Sequence, residues 1–309
     1  MNIKKVLALL LALTFVIFTF AACGSKEGGE ATTQVQNAET EPSGEAVTDS
    51  SEPVTGDENT EPSTDENGET VTAEDVTAET KLPETKEEIL ALYTEVMNQA
   101  KKDAPAFNKV LYQELPSDSK SRVVSEGGGL VNAALNLAGN FMTSEKDAYK
   151  EPEVYEKGGD MHAFPVVDNK AGCLLTDTSA IKSATCEKLP NGNVRITIVL
   201  NSEANPEPTK SAAKPVSNHG AIFNPLSKKV IDENLSGGLV SAVFKDITYS
   251  LTYHDCSTQL VFNPENNHVV SLDQVCNVTI KGSGKAGFVT IAVDKQELVN
   301  YVKVYNIKY

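Results

Sequence analysis

The spacing of hydrophobic and polar residues changes several times along the chain. An uncharged, mostly apolar run covers residues 6–20, and residues 24–80 then contain no aliphatic or aromatic side chain larger than valine. From residue 81 the pattern is periodic, first with the 3.6-residue period of a helix and, after residue 180, with the two-residue period of a strand. This pattern predicts an N-terminal apolar segment, a polar linker over 23–80 and a single folded domain over 81–309.

The folded domain is predicted to begin with an amphipathic helix over about 86–102. Thr85 and Glu88 have the spacing of a capping box, in which each side chain accepts a hydrogen bond from the other residue's backbone. The apolar residues that follow share one helix face: Ile89, Tyr93, Val96 and Ala100. A further short helix is predicted over about 228–235.

A second long helix is predicted over 130–142, directly after three glycines. It is apolar nearly all round, apart from asparagines at every fourth position: Asn132, Asn136 and Asn140. Such a pattern predicts a largely buried helix with one polar seam. Two interpretations stay open: the amides bond to the surrounding backbone in the core, or they line a ligand cavity and orient a polar head group.

Strands dominate the rest of the domain. Alternating apolar residues on both sides of Asn191-Gly192 predict a hairpin over 181–200, because Asn-Gly favours the tight turn that joins two antiparallel strands. Near the C-terminus, a glycine-rich turn over 282–287 is predicted to precede two further strands, 288–293 and 301–305. The domain is therefore predicted to be α+β, with two or three helices packed on an antiparallel sheet of five to seven strands that could be strongly curved.

The hairpin around Asn263–His268 has a definite predicted register. If the numbers of paired residues add up to 532, Leu260 lies opposite Leu272 and Cys256 lies opposite Cys276, all on one face. The apolar residues upstream of this point are odd-numbered, whereas Cys256 is even. That change of parity predicts a β-bulge at His254–Asp255.

Charge is concentrated in the linker. The chain has a formal charge of −16, yet residues 24–80 alone carry sixteen acidic residues and one lysine, which leaves 81–309 nearly neutral. The composition of the linker predicts disorder, because it has too little apolar surface to offset the entropy of folding. A nearly neutral domain also argues against nucleic acid as a partner.

The first 23 residues have the features of a secretory signal. Lys4 and Lys5 precede the apolar run, and the small residues Ala21 and Ala22 precede Cys23. This segment resembles the lipobox of bacterial prolipoproteins. The resemblance implies cleavage between Ala22 and Cys23 and attachment of diacylglycerol to the Cys23 sulfur, with further acylation of the new N-terminus. The alternative is an ordinary cleaved signal followed by an unmodified cysteine.

The resemblance also implies a location, the outer face of a bacterial cytoplasmic membrane. Acyl chains would hold the chain in the bilayer, and the linker would hold the domain away from it. The order of helix, middle hairpin and C-terminal strand-turn-strand loosely resembles surface lipoproteins of Gram-positive bacteria that have no assigned activity.

Four cysteines remain in the domain, in a compartment that permits disulfides. The predicted strand register favours a Cys256–Cys276 bridge, and Cys173–Cys186 then follows by elimination. The alternative is four free thiols. The spacing lacks any Cys-x-x-Cys pair, so no zinc site or other metal site is predicted.

No catalytic motif stands out. Two Ser-x-x-Lys matches and Gly282-Ser-Gly-Lys285 are expected by chance, and His254 beside Asp255 is the sole candidate for acid–base chemistry. We therefore expect a non-enzymatic, lipid-anchored surface protein that is a monomer and holds no cofactor. Its domain is expected to bind an apolar ligand, a peptide or an envelope protein. The alternatives are a surface hydrolase with a site assembled from distant residues, and a scaffold role in a larger assembly.

Overall fold

The computed structural model describes residues 81–139, 142–236, 241–242 and 244–309. The described chain forms one antiparallel sheet of nine strands, with central order β3-β1-β9-β8-β7-β5-β4, while β2 pairs with β9 and β6 with β7. The strands are β1 (Ala106–Glu114), β2 (Arg122–Glu126), β3 (Glu153–Tyr155), β4 (Ile181–Lys188), β5 (Val194–Leu200), β6 (Glu203–Ala204), β7 (Phe244–Asn263), β8 (His268–Ala286) and β9 (Val289–Lys308). The α-helices are α1 (Lys86–Asp103), α2 (Gly128–Gly139), α3 (Glu145–Lys150) and α4 (Lys228–Ser236).

The predicted fold class is correct in outline, since helices pack on an antiparallel sheet. The predicted number of strands, five to seven, is wrong, as is the number of helices. The additional strands β2, β3 and β6 are two to five residues long. Segments this short show no clear alternation of apolar and polar residues, and only pairing with a neighbouring strand makes them extended.

Helix α1 confirms the prediction for 86–102. Thr85 accepts a hydrogen bond from the Glu88 amide at 3.2 Å, and the Glu88 carboxylate accepts one from the Thr85 amide at 3.1 Å. The predicted apolar face is fully buried against the sheet. Within that interface the Tyr93 and Thr258 hydroxyls lie 3.1 Å apart, so the one polar group of the stripe has a partner.

The two predicted hairpins are also present. In the first, Lys188 pairs with Val194 across the turn, and Gly192 has the positive φ of 86° that Asn-Gly turns require. In the second, Leu260 pairs with Leu272 as predicted, whereas an irregularity after Val261 shifts Phe262 to Val269.

The predicted bulge lies where the parity changes. The β7–β8 register shifts between His254 and Ser257, and Asp255 has a φ of 49°. The extra residue moves the following side chains to the other face. Cys256 is consequently buried, together with the odd-numbered residues Leu251 and Tyr253 upstream.

The glycine-rich turn predicted at 282–287 is wrong. Strand β8 continues through Gly282 and Gly284 to Ala286, the turn is Gly287–Phe288, and β9 is a single strand of 20 residues. The two glycines remain in the strand because the neighbouring strand approaches closely there: a Cβ at Gly282 would lie 3.2 Å from the Thr248 carbonyl oxygen.

Three apolar clusters lie on the sheet, and the smallest of them joins Ala148 of α3 to Val110 and Tyr112 of β1. The largest cluster is under α1 and the segment that leads to α4, and contains Tyr93, Tyr253 and Leu260. A smaller cluster lies at the end of the sheet nearest the β8–β9 turn, where Val131 and Leu135 of α2 contact Phe244 and Ile291.

Candidate ligand site

An apolar cavity of about 140 Å³ lies at this end of the sheet. Helices α2 and α4 contribute Leu135 and Leu235, and Leu115 follows β1. The sheet contributes the remaining apolar side chains: Phe244, Ile247, Leu251, Ile280, Ile291 and Val293. A dry cavity of about 150 Å³ lined by such residues accommodates a benzene-sized molecule. This cavity therefore has room for a small aromatic ring or a short stretch of alkyl chain.

Two glycines keep the cavity open. Gly282 and Gly284 line it from β8, and they pair with Val293 and Ile291 of β9. Residues directly opposite in an antiparallel pair share a face. A larger side chain at Gly284 would therefore enter the space beside Ile291.

Gln296 and Tyr249, two polar side chains that line the cavity, already have partners. Buried Gln296 donates to the Pro116 carbonyl at 2.9 Å and accepts from Arg122 at 2.7 Å. Tyr249 donates to Asp232 at 2.6 Å; burial, with this hydrogen bond, raises the tyrosine pKa. These groups offer little further hydrogen bonding, so the cavity favours a ligand through apolar contact.

The predicted asparagine seam does not line this cavity. Asn132 and Asn136 are exposed, and Asn136 accepts a hydrogen bond of 3.4 Å from Arg122. Asn140 lies outside the described residues. Both predicted roles for the seam are wrong for the two described asparagines, because α2 turns Val131 and Leu135 toward the sheet and leaves the adjacent amide stripe in water.

A second group of functional side chains lies in the main core. Cys276 is located between Val275 and Asn277, whose partners on β7 are Ser257 and His254, so it is next to Cys256 across the strands. Both sulfurs are free thiols, so the strand register predicted their proximity correctly while the predicted Cys256–Cys276 bridge is absent from the structure. Hydrogen bonding with the Cys276 thiol lowers the pKa of Cys256, with a further contribution from His219, while the pKa of Cys276 itself is raised.

His219 connects these thiols to Glu203. Its ring is completely buried, and its Nδ1 lies 2.8 Å from the Glu203 carboxylate. Burial opposes the charged form, yet hydrogen bonds with Cys256 and Glu203 raise the pKa of His219 to about 9. No sequence signal connected Glu203 with His219, since they lie sixteen positions apart in the chain.

The Cys173–Cys186 bridge predicted by elimination is absent from the structure. Cys173 is buried beside Thr94 of α1, and burial raises its pKa. Cys186 lies in β4, opposite Ile196. The pairing was inferred only because two cysteines were left over, and not from any predicted distance between them. Cys173 and Cys186 belong to different segments of the fold.

His254 belongs to a polar cluster instead of a cavity. Its Nε2 lies 3.1 Å from both Glu297 and Thr279, and its Nδ1 lies 3.3 Å from Asp255. The cluster includes a hydroxyl, an imidazole and carboxylates, but His254 does not line the apolar cavity. His254 is therefore not part of the candidate ligand site, and the hydrolase interpretation stays a prediction.

Two other spaces are less suited to a ligand. One, of about 60 Å³, is lined by Lys109, Gln274 and Cys276 and has room for a few water molecules. The other, of about 560 Å³, is a polar depression between α1 and the β7–β8 turn. Its side chains bond to each other, as Asn267 does to Glu95 at 3.2 Å.

The chain matches none of the protein-family models, curated proteins or solved structures with which it was compared. Among the described residues, no group of three histidines, cysteines or carboxylates is arranged to hold a metal ion. None of the described helices is long and apolar enough to cross a bilayer. Ala22 and Cys23 lie outside the described residues.

Proposed function

We propose that this protein is a lipid-anchored surface protein of a bacterium whose folded domain binds an apolar ligand, such as part of an acyl chain or a small aromatic compound. The apolar cavity beneath α2 is the single observation that supports the ligand most. Its walls are aliphatic and aromatic, two strand glycines leave it unfilled, and the polar groups at its edge are already paired.

The cavity is suited to part of a larger molecule. Its volume, about 140 Å³, is below the 300–1,000 Å³ of typical ligand pockets. Helix α2 contacts the sheet at this end through Val131 and Leu135, and α4 contributes Leu235 to the same cluster. A long acyl chain would therefore extend beyond the cavity, or it would displace these helices as it enters.

Ligand binding can be tested with a fluorescent probe. Wild-type chain is expected to bind 1-anilinonaphthalene or an anthracene-labelled fatty acid, with increased emission in the apolar environment. Gly284→Leu should reduce this binding at least tenfold, because its side chain fills the space beside Ile291. Thr290→Leu is the matched control, since it adds the same side chain one residue from Ile291, on the opposite face of β9.

Equal binding by wild type and Gly284→Leu, with both variants folded by circular dichroism, would overturn the proposed ligand site. Native mass spectrometry of the full chain gives a second measurement. A resident apolar ligand should appear as an added mass that organic extraction removes and that Gly284→Leu lacks.

The anchor is tested separately. We expect the mass of the chain isolated from cells to correspond to acylated Cys23. We also expect the protein to partition into detergent. Cys23→Ser should abolish the added acyl mass, whereas Ser25→Ala should not. An unacylated wild-type chain would contradict the anchor. The ligand site would then be decided by the probe-binding measurement alone.

A further inference from the structure

Phe288 is the most exposed large apolar side chain of the described residues. It occupies the two-residue turn between β8 and β9, after Gly287, whose φ of 63° suits the first position of such a turn. Its relative exposure is 108%, whereas the other described phenylalanines are at most 7% exposed: Phe107, Phe164, Phe223, Phe244 and Phe262. Its neighbour Val289 is 38% exposed. The domain thus presents an aromatic side chain at the tip of a long hairpin.

The tip is continuous with the proposed ligand site. Phe244, Ala286 and Val289 pair across β7, β8 and β9, and therefore share a face. Two residues further along, Gly284 and Ile291 pair on the same face and line the cavity. At about 3.3 Å per residue, the cavity wall begins about 7 Å from the tip pair. An apolar strip therefore leads from the cavity to Phe288.

The geometry points to insertion of this hairpin tip into the surface of a lipid bilayer, with the apolar ligand exchanged between bilayer and cavity along the strip. This inference rests on the proposed function, because the proposed anchor at Cys23 places a bilayer near the domain. A relaxed linker of 57 residues would span roughly 40 Å, which keeps the hairpin tip within reach of the membrane.

The size and charge of the tip favour a bilayer over a protein partner. A stable protein interface needs about 800 Å² from each partner, whereas one exposed aromatic side chain and a half-exposed valine offer far less. Phenylalanine is one of the apolar side chains with which peripheral segments enter the interface of a bilayer. Three exposed lysines lie on β7 and β8 in the half of the hairpin that carries the tip: Lys245, Lys281 and Lys285.

Nearby carboxylates partly balance these lysines. Asp246 pairs with Lys285 at 2.9 Å, Asp294 follows on β9, and Glu126 of β2 lies opposite Ala292. The end of the sheet that carries the tip is therefore close to neutral, in contrast to the linker. It can approach anionic head groups without repulsion, and its lysines can reach their phosphates.

The chain contains no tryptophan, which makes a single introduced indole a specific probe. The test uses Phe288→Trp in the chain that also carries Cys23→Ser, so that no acyl group contributes to binding. Vesicles contain phosphatidylcholine and phosphatidylglycerol in equal parts, with or without bromine on the acyl chains. We expect a blue shift of the Trp emission and strong quenching by the brominated lipid.

Val216→Trp in the same background is the control, because Val216 is also well exposed, at 58%, and lies in the loop between β6 and α4. Its emission should respond to aqueous iodide and not to brominated lipid. If Phe288→Trp is not quenched by brominated lipid, or if both positions are quenched equally, insertion of the tip is wrong.

A transfer measurement connects the tip to the ligand. Phe288→Ser should slow transfer of the labelled fatty acid from the protein to vesicles about tenfold, consistent with loss of one buried aromatic contact, and leave its affinity in solution unchanged. Unchanged transfer with normal binding overturns the exchange route alone. If no probe binds in solution while Phe288→Trp still inserts, the ligand site is wrong and the membrane contact stands.

Discussion

The Nδ1 atom of His219 lies 2.8 Å from the Glu203 carboxylate. This contact joins strand β6 to the segment between β6 and α4, which carries His219. The same carboxylate accepts a backbone hydrogen bond of 2.8 Å from His219. The ring is completely buried, so its charged form depends on Glu203 and on the neighbouring Cys256.

Glu203→Gln should make the stability of the domain less dependent on pH. Hydrogen bonds with Cys256 and Glu203 raise the pKa of His219 to about 9, above the value near 6.5 of an unfolded chain. Binding of this proton stabilises the folded state fully below pH 6.5, and the stabilisation is lost as the pH rises through about 9. Urea unfolding followed by circular dichroism should show the variant about 2 kcal/mol less stable than wild type at pH 6.

That difference between wild type and Glu203→Gln should shrink toward pH 9.5. Glu187→Gln, which changes an exposed carboxylate on β4, is the control and should leave the pH profile unchanged. Parallel profiles for wild type and Glu203→Gln would contradict a charged His219.

Oxidation should connect Cys256 to Cys276 and leave Cys173 and Cys186 free. Directly opposite residues in antiparallel strands have Cα atoms about 4.5–5.5 Å apart, within the range that a disulfide bridges. Diamide treatment, which removes one hydrogen from each thiol, should give a cross-linked peptide that contains both cysteines. Peptide mapping after alkylation of the remaining thiols measures this. A Cys173–Cys186 peptide, or none at all, would refute the predicted pairing.

Leu135→Ala should destabilise the domain and Asn136→Ala should not. Leu135 is 5% exposed in the cluster with Phe244 and Ile291, so its truncation should cost about 2 kcal/mol of unfolding free energy. Asn136 is exposed, and its loss should change that energy by less than about 0.5 kcal/mol. Chemical denaturation of the two variants distinguishes the observed orientation of α2 from the predicted inward seam, which requires the opposite order.

Lys101→Met should be strongly destabilising, because the Lys101 ammonium holds residues 161–166 in place beside α1. It donates to the carbonyls of Met161, Phe164 and Val166 at 2.7, 2.5 and 3.0 Å. Burial lowers the lysine pKa to about 8. Removal of these bonds should cost about 3 kcal/mol in urea unfolding. Lys102→Met makes the same change at an exposed position, and a similar loss there would show that the effect is not specific to the three carbonyls.

Local patterns determined much of the fold in advance. The capping box fixed the start of α1 and the Asn-Gly turn fixed the β4–β5 hairpin, because each depends on residues close in the chain. The parity change at Asp255 predicted the bulge for the same reason. The four-residue spacing of the α2 asparagines correctly indicated a polar stripe, but a period alone does not say which stripe meets the sheet.

Tertiary structure decided the candidate site. Gly282 and Gly284 suggest a turn in sequence, and they remain in a strand because β7 and β9 pair with them on both sides. The cavity exists where α2, α4 and three strands leave a space that no single segment encodes. Glu203 and His219 come together because the loop that carries His219 packs beside β6, and such contacts between remote residues depend on the whole arrangement of elements.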